Sequence, residues 1–113
     1  MLKNITKNSV ISKNVKYCDN VLSKAIGLMF SKKRDRALIF NFGREKVVSL
    51  HMFFVFYPID VLFLNKDNKI VEIKQNFKPF TFYMPKNRAR YIIELPAGSV
   101  ERSKTRVGDK LSF

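Results

Sequence analysis

The chain has 113 residues, with 22 Lys and Arg against 9 Asp and Glu for a formal net charge of +13. Its hydrophobic content of 46%, with 11 Phe and 4 Tyr, excludes a disordered chain and predicts one packed domain over 1–113, ordered from about residue 8. A single cysteine, Cys18, excludes an internal disulfide and a Cys-built metal site; with no signal-type segment and no apolar run near the roughly 20 residues that span a bilayer, a cytoplasmic protein without membrane insertion is expected.

The first predicted element is a short amphipathic helix in the N-terminal half. Asp19 or Asn20 can cap it, Val21, Leu22, Ala25 and Ile26 share one face, and Gly27 suits its end. After the basic turn 31–36, the apolar run 37–42 closed by Gly43 reads as a buried strand. The β-branched and aromatic residues of 47–56 predict a further strand with Val48, Leu50, Met52, Phe54 and Phe56 on its core side. Strands over 59–64 and 69–74 flank the tetrad Asn65-Lys66-Asp67-Asn68, which suits a hairpin turn stabilised by Asx hydrogen bonds. The segment 77–85 is apolar but bracketed by prolines, which confines it to an edge strand or a loop over the core. A strand over 90–95 stops at Pro96-Ala97-Gly98; Ser99 then caps one helical turn to Arg102, and a last strand covers 111–113. Several short strands without alternating helices predict a mainly β fold, a jelly-roll-like β-sandwich or a partly closed barrel with one short helix.

No nucleotide-binding, hydrolase or metalloprotease signature occurs in the chain, so no catalytic residue, cofactor or metal site is expected. A Cys18–His51 nucleophile pair is disfavoured because nothing around Cys18 lowers its pKa. His51 stands in an apolar strand close to Asp60, and a His–carboxylate couple can exchange protons near neutral pH; the plainer role is a hydrogen bond to a neighbour. Asp60 within 58–64 and Glu94 within 91–95 are carboxyl groups in apolar surroundings, and each needs a partner to be buried there. Backbone amides or a basic side chain would satisfy them structurally; opening onto a shared cavity, His51, Asp60 and Glu94 would form a ligand site.

The basic residues fall in three groups: Lys32, Lys33 and Arg34 with Arg36; Lys86, Arg88 and Arg90; and Arg102, Lys104 and Arg106 with Lys110. In an extended segment Lys86, Arg88 and Arg90 would project from one face and could follow a phosphate backbone, with Phe77, Phe80, Phe82 and Tyr83 nearby for base stacking. The plain alternative is a solvated basic surface.

The blocks 27–30, 38–42, 51–64, 94–98 and 107–109, in that order and spacing, resemble the Domain of Unknown Function 192 family. The resemblance implies a jelly-roll-like sandwich with a short helix, and it implies no activity, cofactor or substrate. Family members often carry Trp where His51 stands and a polar pair within 53–56, and many look exported; the departures here imply a cytoplasmic branch. The leading expectation is a non-enzymatic module for a small polar ligand such as a sugar. The alternative is binding of nucleic acid or another polyanion, and a His51/Asp60 hydrolase comes last. An exposed surface at 77–84 would support a homodimer.

Overall fold

The run Ile59–Leu64, apolar but for Asp60, organises the molecule: in the computed structural model all six of its residues are buried, which requires a strand covered on both faces. Residues 1–18, 36–51 and 57–113 are described, His51 through its backbone. They form β1 (Leu2–Asn4), β2 (Ser9–Ser12), β3 (Val15–Cys18), β4 (Ala37–Lys46), β5 (Leu50–His51), β6 (Ile59–Leu64), β7 (Ile70–Phe77), β8 (Phe82–Tyr83), β9 (Ala89–Pro96), α1 (Ser99–Ser103) and β10 (Leu111–Ser112). The helix expected over 19–27 lies outside the described residues, as do Lys32, Lys33 and Arg34.

A five-stranded sheet runs β3-β4-β9-β6-β7, parallel between β3 and β4 and antiparallel elsewhere. A three-stranded antiparallel sheet, β10-β1-β2, covers one face, and the pair β5-β8 makes a third small sheet. Between the two larger sheets lies a first apolar cluster: Leu2, Ile11 and Leu111 meet Ile39, Leu62, Leu64, Ile93 and Leu95, with Val100 of α1. On the opposite face a second cluster gathers Leu38, Phe40, Val61, Phe63, Phe77 and Ile92, with Leu50, Tyr57 and Tyr83 packed against it. The fold is therefore mainly β and sandwich-like, with sheets that do not close into a barrel.

Several expected elements change on inspection. Gly43 does not end its strand: at φ 76° it adopts left-handed backbone, its amide bonds to Asn41 Oδ1, and β4 runs on through an irregular stretch to Lys46. The strand expected over 47–56 is narrower among the described residues: 47–49 are not strand, and β5 pairs only with the two residues of β8, although Val48 and Leu50 do pack on the core side. Strands β1 and β2 carried no sequence expectation, because their burial rests on little more than Leu2 and Ile11. The β6–β7 hairpin turns as expected, with Asn65 Oδ1 accepting the amides of Asp67 and Lys69 and Asn68 at φ 62°. Among the described residues no helix is long and apolar enough to cross a membrane.

Candidate functional site

Asp60 is 1% exposed and its carboxylate is fully used. Oδ1 accepts the Asn76 amide at 2.9 Å, while Oδ2 accepts the amides of Gly98 at 3.1 Å and Val100 at 3.0 Å. It thereby ties the left-handed residue Asn76 on β7 to the start of α1. Ser99, expected as the helix cap, donates instead to the carbonyl of Pro96, and the N-cap position is Gly98 with no side-chain cap. A carboxylate 40 positions away takes over that role and meets the free amides at the positive end of the turn.

Glu94 is placed quite differently. By register Asp60 lies opposite Leu95 and Glu94 opposite Val61 and Leu38, so the two carboxyl groups project from opposite faces of the five-stranded sheet. Asp60 and Glu94 therefore do not open onto one cavity. Glu94 sits on the central strand β9 on the side of the second cluster, and it is 7% exposed. Its Oε2 is buried and receives no hydrogen bond. Burial, with nothing to offset it, pushes its pKa up from 4.5 to about 8, so the group is protonated at neutral pH. A neutral carboxylic acid in this position can both donate and accept a hydrogen bond.

On the same face the register Glu94–Val61–Lys74 places a lysine in the row of the carboxyl group, two strands away. Lys74 Nζ lies 5.4 Å from the centre of the Tyr83 ring, and Tyr83 in turn packs against Phe63 at 5.9 Å and Phe77 at 6.2 Å between ring centres. The Tyr83 hydroxyl donates to Glu72 Oε2, while Glu72 Oε1 accepts the amides of Lys86 and Asn87 and the Asn87 side chain. Burial would raise the Glu72 pKa, but these donors outweigh it and hold the group below 4.5. Burial, the hydrogen bond and the Glu72 charge push Tyr83 up to about 12. Sequence reasoning passed over Glu72; its signal was a lone acid in a strand, opposite Phe63. Backbone pairing sets His51 opposite Phe82, and Leu50 of the same strand packs on the second cluster.

The basic candidates differ in exposure and in what they touch. Lys86 and Arg88 are exposed on the segment that Glu72 holds, whereas Arg90 is half-buried with its guanidinium carbon 5.4 Å from the Tyr91 ring centre and its Nε unbonded. Arg102 spends a guanidinium N–H on the carbonyl of Ile11. Lys104 and Arg106 are exposed just past α1, where the Arg106 amide binds Asp109. Among the described residues one ion pair forms, Lys7 with Asp109 at 3.0 Å.

Comparison with known proteins places this geometry in a lineage. The model of the DUF192 family, described as Uncharacterized ACR, matches residues 3–113. A UPF0127 protein of Pyrococcus horikoshii is 40% identical over 115 residues, which cover 100% of this chain and 98% of that protein. A UPF0127 protein of Pyrococcus furiosus is 39% identical over 112 residues, covering 97% of this chain and 95% of the relative. A crystal structure from Sinorhizobium meliloti, described as that of a "putative transcription regulator", matches with TM-score 0.81 and 28% identity over 87% of this chain and 79% of that one. A protein of unknown function from Novosphingobium aromaticivorans shares the fold with TM-score 0.79 at 22% identity, over 88% of this chain and 74% of that one. With the family model spanning nearly all of its length and relatives this similar, the chain belongs to the DUF192 family.

Proposed function

We propose that the protein is a non-enzymatic binding module that takes a small polar ligand, of sugar type, on the Glu94 side of the five-stranded sheet. One observation carries this reading: Glu94 Oε2 is buried on the central strand without a hydrogen-bond donor. An unsatisfied buried acceptor costs about 1–3 kcal/mol, a cost that a ligand hydroxyl would relieve. Protonated below about pH 8, the group suits a neutral polyol better than a cation. Asp60 drops out of the ligand set, because both of its oxygens are occupied by backbone amides; the same occupancy removes it as the orienting partner that a His51-based hydrolase would need. The buried thiol of Cys18 fits a reducing, cytoplasmic setting.

The test is a panel of monosaccharides and polyols screened by thermal shift and ligand-observed NMR against the wild type and Glu94→Gln. A ligand whose affinity falls at least about tenfold in the variant, and falls in the wild type as pH rises through 8, supports the reading. A panel in which nothing perturbs the resonances of Glu94 and its strand neighbours ends it.

A second reading, polyanion binding, rests on the scarcity of internal neutralisation: a chain of net charge +13 forms one ion pair among its described residues. Lys86, Arg88, Lys104 and Arg106 keep their charges at the surface. The Sinorhizobium meliloti neighbour's description as a regulator is compatible with this. Affinity for RNA or DNA should fall steeply between low and physiological salt, and a flat response would contradict it.

A further inference from the structure

Beyond both readings above, we propose that the outer face of the three-stranded sheet β10-β1-β2 rests on an anionic lipid bilayer, its aliphatic side chains entering the headgroup layer and its lysines meeting acidic headgroups. The sheet turns Leu2, Asn4, Ile11 and Leu111 toward the core, where all four are buried. Alternation then sends Lys3, Val10, Lys110 and Ser112 outward, and Ile5, whose amide bonds to the Lys110 carbonyl, continues the outward side of β1. Met1, Ile5 and Val10 are 55%, 54% and 38% exposed. Lys3 stands among them, opposite Ser112 on one side and Val10 on the other.

Charge points to an anion. From Met1 to Cys18 the chain carries Lys3, Lys7, Lys13 and Lys16 and no acidic residue. Lys69 and Lys110 form an antiparallel bridge, so two exposed like charges stand directly opposite one another, an arrangement that costs stability and that a bound anion relieves. Asp109 does not neutralise them, because it is buried and accepts from Asn4, Lys7 and the Arg106 amide. Among the described residues, none of Lys3, Lys69 and Lys110 belongs to an ion pair. The exposed acids nearest to them in the chain, Asp67 and Glu101, belong to the β6–β7 turn and to α1.

The kind of side chain then selects a membrane among anionic partners. Met1, Ile5 and Val10 offer no ring on which a base could stack. A second copy of the chain, packed through the same face, would set Lys3, Lys69 and Lys110 against themselves. An acidic protein would have to bury Lys3 on the middle strand of the contact, whereas lysine is depleted at the centres of protein interfaces. At a bilayer surface, lysine heads stay among the headgroups while neighbouring aliphatic groups lie below them, and no pocket is required.

Co-sedimentation of the full chain with vesicles tests this, comparing pure phosphatidylcholine with vesicles containing about one-third phosphatidylserine; affinities for heparin and duplex DNA, charged partners without an apolar layer, are measured alongside. The serine-containing vesicles should bind at least about tenfold more tightly than the neutral ones, and Lys3→Gln/Lys110→Gln should lose about tenfold or more of that affinity. Ile5→Ser/Val10→Ser should weaken vesicle binding at least about fivefold and leave heparin and DNA affinity unchanged. Lys86→Ala/Arg88→Ala, on the segment that Glu72 holds, should change vesicle affinity less than about twofold. Absence of a preference for phosphatidylserine overturns the proposal. So do equal losses in the two charge variants, which would mean attraction to net charge alone, and an aliphatic variant that weakens vesicles, heparin and DNA alike or none of them. Capture on immobilised polyglutamate without vesicle binding, or a dimer in sedimentation velocity that the aliphatic variant dissolves, overturns it in favour of a protein partner. The substituted side chains are exposed, so circular dichroism of each variant should match the wild type; Ile5→Thr/Val10→Thr, which keeps β-branching, takes the place of the Ser pair if that pair unfolds.

Discussion

The two faces of the five-stranded sheet handle the same chemical problem in opposite ways. Asp60 and Glu94 are one register step apart on neighbouring strands, both acids among apolar residues, both nearly inaccessible to solvent. On the first face Asp60 meets three backbone amides, because the chain brings the left-handed turn at Asn76 and the first turn of α1 to it. On the second face Glu94 finds Leu38 and Val61 beside it and no donor for Oε2. Burial alone does not decide what a carboxyl group does; the supply of donors at that depth does. Asp60 is a structural clamp, whereas Glu94 keeps a buried oxygen without a hydrogen bond.

The sharpest way to break the comparison is to remove the clamp. Asp60→Ala strands three amides, one of them the helical Val100 N–H, and should destabilise the protein by about 4 kcal/mol in chemical denaturation. A loss below about 1 kcal/mol would mean that water or rearrangement replaces those bonds and that the first face is not built around this carboxylate.

Glu94 should behave with the opposite sign. Its folded pKa is raised from 4.5 to about 8, so its favourable contribution is complete below pH 4.5 and is withdrawn as pH climbs to 8, at on the order of 1 kcal/mol per pH unit. Glu94→Gln cannot ionise. The variant should match the wild type near pH 5 and exceed its stability by about 3 kcal/mol at pH 8, as read from urea midpoints across that range. Parallel pH profiles for the two proteins would show that Glu94 ionises freely and that the second face is wetter than its packing indicates.

Much of this architecture was legible in the chain, and the failures have physical causes. The β6–β7 hairpin was readable because Asn65 and Asn68 are local turn chemistry and the apolar runs flank them directly. That Asp60 and Glu94 would be buried was readable from their apolar neighbours. Which face each would occupy was not, since β6 and β9 are apolar on both faces and period 2 gives no direction there. The cap of α1 was misassigned to Ser99 because a local Ser before a helical turn is the usual solution, whereas the donor's true partner comes from a strand 40 residues earlier. The same non-locality hid β1: Leu2 and Asn4 are buried against partners far along the sequence, Leu2 in the cluster between the sheets and Asn4 beside β10 with its side chain on Thr105 and Asp109.

Between the two extremes stands Glu72, which is satisfied like Asp60 but on the Glu94 side. Tyr83→Phe removes one of its donors and leaves the backbone amides, so a loss of about 1–2 kcal/mol is expected. Because the donors hold Glu72 below 4.5, its contribution is present above that pH and is lost as acid protonates it; acid unfolding of Tyr83→Phe should begin at a higher pH than in the wild type. An unchanged acid transition would detach the 82–88 segment from Glu72 as its anchor.

The smallest effect should come from the one ion pair among the described residues. Asp109 is held below its usual pKa because, against the cost of burial, the Asn4 side chain, the Arg106 amide and then Lys7 donate to it. Asp109 is 6% exposed at its side chain, but Lys7 is 34% exposed, so solvent screens the pair and other donors remain when it is cut. Lys7→Met should therefore cost less than about 1 kcal/mol, and raising the salt concentration should erase most of the difference. A larger, salt-independent loss would place Lys7 among the buried clamps, and the division between amide-satisfied and charge-satisfied carboxylates in this fold would have to be redrawn.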